Sequence, residues 1–384
     1  MISHPNTSLK YILCTLILAV GLQFSAIAEH TDEHPAHAPH ATEVSTTSAD
    51  AHPAPHGEQK FDAGKMILEH ILDAHDWHLF GHTSIHLPVI LYTDKGFEVF
   101  SSGKFEHGHA TVQGKHYSYR LHDEKVIVVD ETGAENAAAT AAIKDISITK
   151  NVLALLISIV VLIAIFIPIS NRYQQNPNRA PSGLQSLLEP IILFIQDNIA
   201  IPNIGKKNYG KYMPFLLTVF FFILVNNLLG LIPFFPGGAN VTGNISVTFT
   251  LSAIVLIIVI VTSNKHYWQH ILAMPGVPKP VLLILTPIEI LGFVIRPFVL
   301  MMRLFANITA GHIVILSFIS LIFIFGAMSA TAGYGISIFS MLLVVFMSLL
   351  ELLVAFLQAY VFTLLSAIYF GSAIEEGHHE EGHH

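Results

Sequence analysis

The chain has 384 residues, 52% of them hydrophobic and only 12% charged, with a formal net charge of −8. A soluble domain carries roughly 25% charged residues, so this composition excludes an ordinary soluble enzyme and points to a membrane protein. The charges are uneven: Glu29 to Lys150 holds 19 acids and 9 Lys/Arg, whereas the longer stretch after Lys150 holds 8 acids and 9 Lys/Arg. An acidic, hydrophilic segment therefore precedes an apolar one.

Residues 1–28 have the pattern of a signal peptide: Lys10, an apolar run YILCTLILAVGLQFS, then Ala26-Ile27-Ala28 as a small-x-small cleavage site. An uncleaved anchor is the alternative, and either delivers Glu29 onward to the outside of the membrane. The single cysteine, Cys14, lies in this leader, so a mature chain would have neither disulfides nor thiolate metal sites. Residues 29–60 are rich in His, Pro and Ala without aromatics beyond histidine, the composition of a disordered tail. In residues 61–145, ILDAHDWHLF suits a short helix or turn. HLPVILYTDKGFEVF and HYSYRLHDEKVIVVD carry β-branched and aromatic runs between Gly and Asp turns, which predicts short strands. This is read as a small extracytoplasmic β-rich module, joined to the membrane by the Ala-rich connector AENAAATAA. The membrane domain is placed at 146–375, followed by an acidic and His-rich tail, 376–384.

Residues 152–169, 215–235 and 245–262 are each about long enough to cross roughly 30 Å of hydrocarbon. Residues 281–300 are apolar but contain Glu289, Arg296 and two prolines, and two further runs follow, 298–330 and 336–370. The last run contains no Gly or Pro and would be about 52 Å long as a helix. It cannot stand upright in the bilayer and must tilt steeply or break. The expected fold is an all-α polytopic membrane protein of about five to six membrane helices, the last two long and steeply tilted, plus the β-rich module. Arg172, Arg179, Lys206, Lys207 and Lys211 lie between the first and second spans, and Lys265 and Lys279 follow the third. The positive-inside rule puts these connections in the cytoplasm and the N-terminus outside.

Arg303 stands in the apolar run VLMMRLFANITAGH, and no Asp, Glu, Lys or Arg follows it until Glu351. An intramembrane charge is a functional hypothesis by default. Arginine stays protonated in proteins, so Arg303 requires a partner, water or polar groups; an internal pair with Glu289 or Glu351 is the structural alternative. A carboxyl group withdrawn from water exchanges its proton nearer neutral pH, and histidine titrates there unaided. Glu351 and His312 thus make a candidate proton relay. In a continuous helix Arg303 and His312 would be about 180° apart around the axis and about 13.5 Å along it. Glu351 and Gln358, seven residues apart, share a face. Asn307 shares that of Arg303, and Glu289 shares that of Arg296. The milder alternatives are a His312 satisfied by packing and a Gln358 bonded to a neighbouring helix.

RLFANITAGH followed by LLELLVAFLQAYVFTLLSAIY resembles subunit a of the F-type ATP synthase membrane sector, as does IPFFPGGANVTGNISVTFTLS after Asn226 and Asn227. The resemblance covers roughly residues 145–375. It implies that Arg303 is the essential arginine, that Asn307 and Gln358 are the family's asparagine and glutamine, and that His312 and Glu351 hold its two variable relay positions. Some members carry Glu then His there; this chain carries His then Glu. The implied function is a proton-translocating stator subunit that is not itself catalytic. Two unconnected half-channels flank Arg303, and Glu289 is the candidate for the cytoplasmic exit. The implied partners are the c-ring rotor subunits, the subunit b peripheral stalk, other synthase subunits and the lipid bilayer of a bacterial inner membrane. No cofactor, metal or nucleic acid is expected. Residues 29–144 fall outside the resemblance.

A metal-ion transporter is the alternative, because 15 of the 23 histidines lie between His30 and His122. Against it, the tracts are low-complexity and contain neither CxxC nor HExxH. Intramembrane proteolysis has no nucleophile motif to support it.

Overall fold

The computed structural model describes residues 62–80, 83–108, 110–122, 124–175, 180–232, 235–274 and 277–375. The leader 1–28, the tail 29–60, Arg179 and the tail 376–384 lie outside the described residues.

The N-terminal module opens with α1 (Ala63–Ile71) and builds three small antiparallel sheets. β1 (Asp76–Phe80) pairs with β2 (Thr83–His86). β3 (Pro88–Thr93) lies between β4 (Gly96–Ser101) and β8 (Lys144–Asp145), and β6 (Ser118–His122) between β5 (Val112–Gln113) and β7 (Lys125–Val129). Alternation drives the strands: Val89, Leu91 and Thr93 are buried while Pro88 and Tyr92 face outward. The β3–β4 hairpin closes over Asp94 and Lys95, as the Thr-Asp-Lys-Gly turn predicts. Val89, Leu91, Phe105, Val112, Tyr119, Val126, Val128 and Ile143 form the module's core. Glu98 is buried beside that core, and its carboxylate accepts from the Tyr119 hydroxyl at 2.9 Å and from the amides of Lys115 and His116 at 2.9 and 3.0 Å. These bonds offset the cost of burying it.

The Ala-rich stretch expected as a connector is part of this module. Ala137–Ala141 forms α2, capped by the Asn136 side chain, and the Thr140 hydroxyl accepts from Val128 N–H at 3.1 Å. The chain then returns as β8 alongside β3. Alanine has no strong preference for a linker; a good helix former next to a capping asparagine and an open strand edge was drawn into the packing.

Six helices among the described residues are long and apolar enough to cross a membrane. α3 (Lys150–Gln175) comes first. α4 (Leu184–Ile195) continues through a wider π turn, Gln196–Ala200, to Ile204. Glu189, Pro190 and Asp197 interrupt its apolar run, so in the sequence this rod is part of the connection between the first and second spans. α5 (Tyr209–Leu231) and α6 (Ile245–Thr262) follow, then the short α7 (Lys265–Leu272). α5 sits at the centre of the bundle, with Leu216, Phe220 and Ile223 wholly buried. It packs on α3 and on the last helix, where Tyr212 stacks on Phe370 at 4.9 Å.

The last two helices are longer than expected. The runs 281–300 and 298–330 merge into one helix, α8 (Lys279–Met328), although Pro287 and Pro297 lie inside it. α9 (Ala330–Ile374) extends the run 336–370 at both ends. At 1.5 Å per residue their 50 and 45 residues amount to about 75 and about 68 Å. A proline removes one backbone bond, a loss that membrane helices absorb through local adjustment. The chain reverses at Ser329, whose hydroxyl accepts from Ala332 N–H at 3.1 Å and starts α9. Gly326 and Gly333 let the two helices touch there: a Cβ on Gly333 would stand 2.8 Å from Gly326 Cα.

Candidate functional site

Arg303 lies near the middle of α8, 24 residues after Lys279 and 25 before Met328. Its side chain and that of Asn307, one turn on, are exposed. Among the described residues no ion pair joins Arg303 to Glu289 or Glu351. Tyr369 on α9 lies within electrostatic range of both Arg303 and Arg296.

α8 packs along α9 and α6, and His312 on it reaches the end of α5. Glu351 lies directly against Gly311: a Cβ at 311 would stand 3.0 Å from its carboxyl carbon and closer still to Oε1. That oxygen is buried and has no hydrogen-bond partner. His312, the next residue, reaches toward the end of α5, where a Cβ on Gly230 would stand 3.8 Å from its Nε2. Glycine at 311 is thus what leaves room for the Glu351 carboxyl. The structure brings His312 and Glu351 to one neighbourhood and turns Arg303 to the other side of α8.

Asn227 ties this neighbourhood together. Its Nδ2 donates to the carbonyl of Ala355, between Glu351 and the buried Gln358, at 3.2 Å. Its Oδ1 accepts from the Thr242 hydroxyl at 2.5 Å. The loop 235–244 continues the polar lining: Asn240 Oδ1 accepts from Gly243 N–H at 2.9 Å, and Gly243 O accepts from the Thr309 hydroxyl of α8 at 3.4 Å. Buried Asn226 Oδ1 and Asn240 Nδ2 have no protein partner, so the lining retains polar capacity suited to water. The sequence marks Asn226 and Asn227 only as the pair that precedes the family-like segment 232–252. The independent signal was available, as paired asparagines between apolar runs are costly unless bonded.

Glu289 lies elsewhere, toward the start of α8. Arg296 stands 5.8 Å from the Tyr369 ring centroid and joins Tyr267, Phe293, Pro297, Val255 and Val259 around a small cleft. Burial pushes the Tyr267 hydroxyl above its ordinary range, with Arg296 opposing and Glu289 reinforcing the shift.

A third group of charges sits where the module meets α3. Asp73 accepts from the Thr149 hydroxyl at 2.8 Å and from Asn151 N–H at 3.0 Å, and Lys150 N–H donates to Ala74 O at 2.9 Å. Asp73 thereby serves one free amide of the first turn of α3, and Ala74 O a second. Burial pushes its carboxyl above the usual range against these bonds. His75 Nε2 lies 3.0 Å from Asp145 Oδ2. Burial pulls His75 down, but the bond and charge of Asp145 outweigh it and hold the imidazole above its ordinary value. The same pairing outweighs burial at Asp145 and holds that carboxyl below its ordinary value. Nothing in the sequence pattern links Asp73, His75 and Asp145, because the contact spans 70 residues and more.

Among the described residues, no three His, Cys, Asp or Glu side chains are grouped to hold a metal ion.

Residues 152–371 match the model of the family ATP synthase A chain, and residues 66–147 match a domain of unknown function (DUF8433). The chain is 43% identical over 244 residues to ATP synthase subunit a of Chloroherpeton thalassium, covering 62% of this chain and 70% of that protein. It is 36% identical over 385 residues to ATP synthase subunit a 2 of Chlorobium luteolum, covering 97% and 95%. Against ATP synthase subunit a of Myxococcus xanthus it is 38% identical over 262 residues, covering 66% and 81%.

Proposed function

The chain belongs to the ATP synthase A chain family, and from that premise we propose that it is the proton-translocating, non-catalytic stator subunit of an F-type ATP synthase. The observation that carries the mechanism is the placement of Arg303. A permanent cation stands exposed in mid-helix without an anionic partner among the described residues, while His312 of α8 and Glu351 of α9 lie near one another around Gly311. A carboxylate supplied by another subunit would satisfy it, and a rotor ring of c subunits is the partner that such geometry serves.

Protons reach the ring from the outer side through the polar neighbourhood of His312, Glu351, Asn227 and Gln358. Protonation neutralises a ring carboxylate and lets it turn into lipid. On returning to Arg303 the carboxyl meets a cation that favours its ionised form, and the proton leaves toward the cytoplasmic side. Glu289, on the first part of α8, is the candidate for that exit. Asn307 lies on the flank of Arg303 and helps to orient it. The same cation obstructs direct passage between the two half-channels. Each charge moved across the potential supplies about 2.3 kcal/mol per 100 mV.

Helices of about 75 and about 68 Å fit a hydrocarbon layer of about 30 Å only if they travel largely sideways or leave it. In this reading α8 and α9 lie steeply tilted, side by side, curving around the ring, in a bacterial inner membrane with the module outside and the C-terminus in the cytoplasm. The subunit b peripheral stalk and the remaining synthase subunits complete the assembly.

The test is replacement of Arg303 in membrane vesicles containing the whole assembly. Lysine offers a compact point charge rather than a planar fork, so both Arg303→Lys and Arg303→Ala should abolish coupled ATP synthesis. Normal ATP-driven proton pumping in either variant would overturn the assignment.

A further inference from the structure

The module of residues 62–149 grips the membrane helices at three places. Asp73 and Ala74 bond the first turn of α3. α1 lies against α8. Trp77, on β1, leaves the module's own core and is buried among membrane-domain residues, at 3% exposure. Its ring meets Phe235 edge to face at 5.2 Å, and the partly buried Ile85 beside it on β2 packs into the same cluster.

Phe235 opens the loop 235–244, so this contact bears on the site. The loop has little regular structure; Gly238 N–H bonds Leu229 O, Gly243 N–H bonds Asn240 Oδ1 and Asn244 N–H bonds Val241 O. It nevertheless supplies Ala239, whose carbonyl closes on Gly230 beside His312, and Thr242, which fixes the amide of Asn227. It also supplies Gly243, whose carbonyl holds Thr309. At one end the loop is anchored by Asn244, whose side chain accepts from Ser246 N–H and caps α6. At the other end Gly238 N–H bonds Leu229 O at the end of α5, and Phe235 packs on Trp77, a ring carried by the module. A rigid aromatic immobilises such a segment well, because it fills much area while ordering only two side-chain torsions.

We propose that the module is a clamp on this loop, and that Trp77 is a positioning residue for the proton inlet, acting through Phe235 on the Thr242–Asn227 bond and the wall beside His312. This rests on the reading of the chain as the proton-conducting subunit. Trp77 touches no proton on the path; it sets where the polar groups of the inlet stand. A domain without a known function thereby acquires one, which is to hold the mouth of the inlet against the pull of a moving partner.

The experiment measures proton flux through vesicles carrying the whole assembly, normalised to the amount of assembled complex, across a range of outer pH. Networks that couple neighbouring elements carry effects of about two- to thirtyfold, and Trp77→Ala should lower flux per complex by about tenfold within that range. It should also shift the dependence on outer pH, because the surroundings of His312 and Glu351 change. Trp77→Phe, which keeps a ring against Phe235, should recover most of the flux. Where Trp77→Ala fails to assemble, Phe235→Ala removes the same contact from the loop side and should reproduce both effects. Wild-type flux per complex and an unshifted pH profile in the variants that assemble would overturn the proposal and leave the module a purely stabilising element. Arg303→Ala run in parallel separates the two readings, since retained coupling in that variant would defeat the proton-conducting assignment itself.

Discussion

α5 and α8 are both apolar enough to cross a membrane, and they sit in opposite surroundings. In the most apolar 18-residue stretch of α5, 61% of the residues are buried within the chain; in that of α8 the share is 6%. Phe220 on α5 touches no solvent, whereas Leu283 on α8 is 79% exposed. Apolarity states that a helix avoids water and leaves open what covers it. α5 is covered by its own neighbours. α8 and α9 pack on each other and in part on α6 and α5, and most of the apolar surface of α8 is left uncovered by this chain. The candidate site lies on the boundary, with Arg303 on the uncovered flank and Glu351 and His312 against the covered one.

The comparison is broken most directly at Gly311 and Glu351. Gly311→Val would drive a branched side chain into the space of the Glu351 carboxyl, and we expect coupled proton flux to fall by about 100-fold, the scale of a misplacement of about 1 Å. Flux near the wild-type level in assembled complexes would show that this packing is irrelevant to transport.

A smaller loss is expected from each relay residue alone. His312→Ala and Glu351→Ala should slow proton flux while the assembly still forms. The exchanged pair, His312→Glu with Glu351→His, should recover part of it. Additive losses with no recovery would mark the two as independent packing residues.

Burial itself is tested by truncation. Phe220→Ala should destabilise the detergent-solubilised protein by about 3 to 5 kcal/mol through the cavity left in the bundle. Leu283→Ala, on the uncovered flank, should stay within about 0.5 kcal/mol. Comparable losses would mean that the isolated subunit buries Leu283 as it buries Phe220.

The smallest effect concerns the junction of the module with α3. His75 is held above its ordinary 6.5, so its pairing contributes fully below that value and is lost as pH rises through the folded value. Asp145 is held below its ordinary 3.8, so its contribution is present above 3.8 and lost as pH falls. Asp73, raised by burial, favours the docked form increasingly as it takes up a proton. Protection of the Lys150 and Asn151 amides, relative to free amides at the same pH, should therefore fall as outer pH rises from about 5 to about 8. His75→Ala should flatten that fall, and an unchanged slope would remove His75 from the account.

Much of this molecule is legible along the chain. Membrane spans show as apolar runs because burying a backbone in hydrocarbon demands continuous helix. The β-strands show as alternation because a half-buried sheet has period two. Arg303 is conspicuous because a lone charge in such a run is costly, and its local sequence led to the family that the comparisons support. The extent of α8 was not legible: two prolines and two charges imitate a break, and only the packing of α9 along it shows that the helix continues. The same limit applies to the Ala-rich stretch, where local composition suits a linker and packing against β7 decides otherwise.

What the sequence determined by itself is a list of expensive residues and the medium they must endure, since transfer costs depend on residue type alone. Only the tertiary structure decided which of them meet. Asn227 with Ala355, Gly311 with Glu351, Asp73 with Asn151 and Trp77 with Phe235 are separated by 40 to 158 residues. Such contacts follow from helix packing and not from local pattern, because a side chain's partner across a bundle is fixed by where whole helices lie.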